Sequence, residues 1–74
     1  MADELHHRSL LTKREREIFQ LLVKDKTTKE IAAGLGISEK TVRNHISNTI
    51  QKLGVSGRAQ AIVELLRLSE LSLD

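Results

Sequence analysis

The stretch SEKTVRNHISN, Ser38 to Asn48, sets Arg43, Asn44, Ser47 and Asn48 among Val42 and Ile46, which recur one helical turn apart. On a helix that period sends Val42, Ile46, Ile50 and Leu53 to one side and turns Lys40, Arg43, Asn44, Ser47 and Asn48 to the other. Arginine can donate two hydrogen bonds to O6 and N7 of guanine, asparagine can pair with N6 and N7 of adenine, and serine suits either. The outward side chains thus carry the chemistry that reads base edges. Lys40, Thr41, His45 and Lys52 lie nearer the borders of this face, where phosphates would pass and fix register without reading sequence. Thr27, Thr28 and Lys29 open another helix, whose free N–H groups and positive dipole end also suit a phosphate.

Singly, each of these residues is ordinary solvated surface, and Thr27 or Thr28 could be a simple cap. As a cluster they are less ordinary, because Glu and Lys are the better helix formers and asparagine is a poor one. His45, one residue from the inward face, reads as a packed or hydrogen-bonded side chain. His6 and His7 have no Asp, Glu or His at a spacing that would complete a metal site. There is no glycine-rich phosphate loop, paired-carboxylate cleft or nucleophile with a base nearby in sequence, and a small helical core offers little concave pocket. The chain is therefore expected to be no enzyme, with no metal and no cofactor.

The elements that must position these residues are marked by their caps. LTKREREIFQLLVKD opens with Thr12 and has Glu15 three residues on, a capping box, followed by Ile18, Phe19, Leu21 and Leu22 on one face. This predicts helix one over about 13–24. TTKEIAAGLG repeats the signal with Thr27 and Glu30 and stops at Gly36, predicting a short helix two over 28–35. Ser38 caps helix three, with Glu39 at its positive end, and Gly54 terminates it after 39–53. Ser56 is expected to cap helix four, 57–69. Two short helices joined by a glycine turn form a helix-turn-helix unit, with small Ala32 allowing close approach and Ile37 and Val42 holding the pair to helix one. A helical hairpin without any nucleic-acid role would show the same caps and periodicity.

Composition agrees with an all-α fold: the 74 residues contain no proline and a single aromatic, Phe19. A chain this short buries only about 60% of its unfolded surface, so association with a partner is expected to help it. With no cysteine there is no disulfide or thiolate site, and nothing indicates an oxidising compartment. No apolar run approaches a membrane span of roughly 20 residues, so no membrane association and a cytoplasmic location are expected. MADELHHRSL reads as a flexible arm over 1–10, ahead of one domain over 11–74. The net charge is +2, unevenly placed: Lys24 to Arg58 holds seven Lys/Arg against three Asp/Glu, and the remainder five against seven. The middle of the chain therefore favours an anionic partner.

Helix four carries more apolar surface than one buried face requires. Ala59, Ala61, Ile62, Val63, Leu65, Leu66 and Leu68 spread over roughly 220°, where one packed face needs an arc of a little over about 100°. Packing inward on one side and against a second copy on the other accounts for the surplus, and would place two recognition helices on one side of DNA. Alternatively, Leu68, Leu71 and Leu73 fold back onto helix one.

The strings LTKREREIFQLL, TTKEIAAGLGISEKTVRNHISNTIQKLGV and GRAQAIVELL together resemble the LuxR-type DNA-binding domain over about residues 10–68. The resemblance implies a four-helix domain, a homodimer formed through helix four (Val63, Leu66, Arg67, Leu68), and a third helix in the major groove of double-stranded promoter DNA with two-fold related half-sites. It implies a transcription regulator working with RNA polymerase holoenzyme. Within the family the chain is similar to a stand-alone sporulation regulator that activates some late mother-cell genes, including spore-coat genes, and represses others. Motif positions assign base reading to Arg43, Asn44 and Ser47, and phosphate contacts to Thr28, Lys29, Ser38, Lys40, Thr41, His45, Asn48 and Lys52. Arg58 matches a position that pairs with helix one, at Glu15 or Glu17. Two departures stand out: only about ten polar residues precede the motif, where most LuxR-type chains carry a receiver or ligand-binding domain, and Gly34 lies inside helix two. Two other classes remain open, a sigma-factor-like region that docks on polymerase and a helical protein-interaction module that uses the apolar face of helix four.

Overall fold

A computed structural model describes residues 10–73, and among them the chain forms four helices and no strand: α1 Lys13–Leu22, α2 Thr28–Leu35, α3 Glu39–Leu53 and α4 Arg58–Arg67. The arm expected at 1–10 lies, apart from Leu10, outside the described residues. α3 is the centre of the domain and packs against each of the other three helices. Phe19, Ile18, Ile31, Val42 and Leu65 are fully enclosed between them.

The starts of α1 and α2 follow from their side chains. Thr12 Oγ1 accepts the Glu15 N–H at 3.1 Å while Glu15 Oε1 accepts the Thr12 N–H at 2.9 Å. Thr27 and Glu30 make the same reciprocal pair at 3.1 and 2.9 Å. Ser38 caps α3 by accepting the Thr41 N–H at 3.0 Å. Ser56 does not cap α4. The N-cap is Gly57, which makes no side-chain hydrogen bond and gives only its carbonyl, to the Ala61 N–H at 3.0 Å. The serine stands one residue too early to reach the free donors of the first turn.

All four helices end alike, with a left-handed residue followed by an N–H that reaches back five residues. The left-handed residues are Asp25, Gly36, Gly54 and Ser69, and the bonds run from Lys26 to Leu21, Ile37 to Ala32, Val55 to Ile50 and Glu70 to Leu65. These are Schellman closures, which satisfy carbonyls the helix leaves free. They also explain two boundary differences. α1 closes after Leu22, short of residue 24, and α4 after Arg67, short of 69, because the last turn tightens into the closure. Glycine suits Gly36 and Gly54, where a side chain would be strained; aspartate tolerates the left-handed region better than most at Asp25.

Glu15 ties this frame together. It is buried, and Lys52 of α3 donates to its Oε1 at 2.6 Å. One carboxylate oxygen thus closes the N-terminus of α1 and anchors the last turn of α3. The C-terminal segment is strapped to α1 as well: Arg16 donates to Glu70 at 2.8 Å, the Gln20 amide meets the Ser72 backbone at 2.6 and 3.4 Å, and Leu71 is buried. Of the three leucines that could fold back, only Leu71 does so; Leu68 and Leu73 are exposed.

Burial pushes the Glu15 carboxyl up, but the Lys52 ammonium and the Thr12 N–H together outweigh it and hold the group below its ordinary value of about 4.5. Stability from this pair is therefore fully present above about pH 4.5 and is lost as the pH falls through the lowered folded-state value. Glu15→Gln is expected to cost about 1–3 kcal/mol at neutral pH. In denaturant titrations the gap to the wild type should stay constant above about pH 5.5 and narrow below pH 4.5. Gly34 is exposed and an added Cβ would touch nothing within 4 Å. Gly34→Ala should raise stability by about 1 kcal/mol, read as a higher unfolding midpoint.

Candidate nucleic-acid interface

α3 divides along its length. Val42, Ile46 and Thr49 are buried, while Arg43, Asn44, Ser47 and Asn48 are exposed beside them. The buried line differs from the spacing expectation by including Thr49 and leaving Ile50 and Leu53 half-buried. Positions 42, 46 and 49 follow the i, i+4, i+7 course along the axis, so the threonine falls in the middle of the core-facing side. Its hydroxyl is satisfied by donating to the His45 carbonyl at 2.9 Å. Burying it at 0% exposure therefore leaves no polar atom unpaired.

The expected base-edge residues share one open face. Arg43 and Ser47 stand one turn apart on it with Asn44 alongside, the spacing at which side chains on a helix are neighbours. Arg43 Nη1 lies 3.6 Å from Glu39 Oε1, an exposed pair that leaves the guanidinium accessible. Lys40 is exposed one turn before Asn44 on that face, Asn48 is exposed toward its border, and Thr41 and His45 are half-buried at the border. Ser38 donates its hydroxyl proton to Thr41 Oγ1 at 2.9 Å, so the Thr41 hydroxyl keeps its own proton for an outside acceptor. At the start of α2, Thr28 is half-buried and Lys29 exposed.

Two cations differ from their expected settings. Lys52 is bound to Glu15, so one of its three donors serves the fold. Arg58 does not pair with Glu15 or Glu17: Glu15 holds Lys52, Glu17 lies 3.4 Å from Arg14, and Arg58 is exposed with no partner among the described residues. The reason is geometric. Lys52 ends a helix packed on α1, whereas Arg58 begins the next one, beyond the Gly54 turn.

Glu39 is more than the helix-end charge that the cap pattern predicts. Its i, i+4 spacing to Arg43, with the acid on the N-terminal side, is the signal that marks the pair in the sequence. No other acidic residue lies within α3.

On the outward side of α4, Val63 is 63% exposed and Arg67 pairs with Glu64 of its own helix at 2.9 Å; Leu66 is half-buried, and Leu68, the C-cap just past the helix, is 42% exposed. A shallow, largely apolar depression of about 380 Å³ lies beside Val63, lined also by Val55, Ala59, Gln60 and Glu64. Ala61 and Leu65 face the core. Among the described residues no group of His, Cys, Asp or Glu could hold a metal ion, and no helix is long and apolar enough to cross a membrane.

Residues 9–65 match the family model of bacterial regulatory proteins, luxR family. The chain is 73% identical to the spore germination protein GerE of Bacillus subtilis over 95% of both chains. It is 47% identical to the transcriptional regulatory protein DegU of Brevibacillus brevis over 78% of this chain, which spans 25% of that protein. A solved structure of the transcription factor GerE superimposes with a TM-score of 0.89 and 82% identity, covering 90% of this chain and all of the other.

Proposed function

The chain belongs to the luxR family of bacterial regulatory proteins, and from that premise we propose how a DNA-binding transcription regulator of this kind uses its four helices. α3 lies in the major groove of double-stranded DNA, with Arg43, Asn44 and Ser47 on base edges. Thr28, Lys29, Ser38, Lys40, Thr41, His45 and Asn48 hold the flanking phosphates. Lys52 joins them while keeping its bond to Glu15, since an ammonium has three donors. The observation that carries this reading is the division of α3, which buries Val42, Ile46 and Thr49 and leaves Arg43, Asn44 and Ser47 uncovered. The domain occupies residues 11–74.

The same proposal includes a homodimer. Val63, Leu66, Arg67 and Leu68 form its interface, with the depression beside Val63 receiving side chains of the second copy. The exposure of Val63 on a helix whose other side is in the core, and of Leu68 just past its end, supports it. A two-fold pair presents two copies of α3 to promoter half-sites about one helical turn, roughly 34–36 Å, apart. In the cell we place the protein in the cytoplasm, acting on RNA polymerase holoenzyme at such promoters. Its likeness to the spore germination protein GerE supports a role in sporulation; activation of some late genes and repression of others is what the motif resemblance adds to the proposal.

Selection of bound sites from random duplex DNA should yield a two-fold symmetric sequence. On a panel of single-base variants of that site, Arg43→Ala should cost about 1–3 kcal/mol and relax preference at one position, whereas Lys29→Ala should weaken all sequences alike. Identical behaviour of the two variants across the panel would remove the division of roles. Leu68→Asp should leave a folded monomer with weakened binding, checked by circular dichroism and sedimentation. A wild type that sediments as a monomer at tens of micromolar would remove the dimer.

A further inference from the structure

We propose that Glu39 is a positioning residue for specificity: it holds the Arg43 guanidinium in its reading orientation and, by its negative charge, weakens attachment to DNA of the wrong sequence. This rests on the assignment of Arg43 to a base edge. The geometry is direct, with Glu39 Oε1 3.6 Å from Arg43 Nη1 across one turn of α3 and both side chains about half exposed. A flexible arginine can swing to any nearby phosphate, and every such contact adds affinity without discrimination. A carboxylate one turn earlier opposes this in two ways. It restrains the guanidinium through one nitrogen while leaving the rest of the donor fork free for guanine. It also places the one negative charge of α3 beside Arg43, where it repels any phosphate that the guanidinium could otherwise take.

The ordinary alternative is that Glu39 stabilises α3 by sitting at its positive end. The readouts differ. As a mere helix-end charge, Glu39 would affect stability and leave sequence preference untouched. As a positioning residue it acts oppositely on two binding constants: removing it tightens non-specific binding and loosens discrimination.

The test compares wild type, Glu39→Gln, Glu39→Ala, Arg43→Ala and the double variant Glu39→Ala/Arg43→Ala on the single-base panel and on random-sequence duplex. Expected for both Glu39 variants is a rise in non-specific affinity of about twofold to fivefold, the size of one exposed charge contact. Discrimination at the base position that Arg43→Ala relaxes should fall by a similar factor. In the double variant the Glu39 effect on discrimination should vanish, because there is no guanidinium left to orient. Unchanged discrimination in the Glu39 variants, with Arg43→Ala still relaxing one position, overturns the inference and leaves the base-reading assignment standing. Loss of preference at a different position would make Glu39 a base contact itself and equally overturn it. If Arg43→Ala relaxes no position, both the assignment and the inference fail.

Discussion

Everything that α3 offers to solvent is aimed by what it buries. Val42, Ile46 and Thr49 lie along one line of the helix, and the first and last have no exposed surface at all. Because side chains on a helix keep fixed angles to one another, seating that line against α1, α2 and α4 also fixes the direction of Arg43, Asn44 and Ser47. Protein cores are close-packed and resist rotation of a helix within them. The exposed face is thus held by side chains that never meet a ligand. Losing a buried methyl at Val42 or Ile46 would threaten aim as well as stability.

Glu15 extends that control along the length of α3. The same oxygen that closes the first turn of α1 accepts the Lys52 ammonium near the far end of α3. The helix is thereby held at three levels: the Ser38 cap at its start, the apolar line in its middle and an ion pair in its last turn. At the other end of the chain, Glu70, Leu71 and Ser72 bind back onto α1 and fix the C-terminal end of α4. With one side of α4 committed to the core through Ala61 and Leu65, the surface carrying Val63 is presented outward on a rigid support.

Local signals were legible in the sequence wherever the determining atoms lie within one turn. The two capping boxes, the Ser38 cap and the glycine stops at Gly36 and Gly54 all act at a separation of a few residues, and each stands where the spacing places it. The split between the buried and open sides of α3 was legible for the same reason. What spacing could not supply was the choice of partner between helices. The resemblance offers Arg58 as the partner of Glu15 or Glu17 and Lys52 only as a phosphate contact; the packing of α3 on α1 brings Lys52 to Glu15 instead. Thr49 carries no apolar signal to mark it as buried, although its hydroxyl is satisfied within its own helix and its position is central to the core. The Ser56 cap failed by a single residue, a difference that depends on the extended turn at Gly57. The backward fold of Leu71, without Leu68 and Leu73, depends on the Gln20 and Arg16 contacts of a distant helix.

The central claim is that α3 meets DNA with the side opposite Val42 and Ile46. It is tested most directly by NMR, following the assigned backbone and side-chain amides of the protein as a selected duplex is added. The expected result is that the largest changes fall on Ser38 to Asn48, including the Asn44 side-chain amide, with a second group at Thr28 and Lys29. Changes concentrated on α4 around Val63 and Leu68, with the Asn44 amide unmoved, would contradict it.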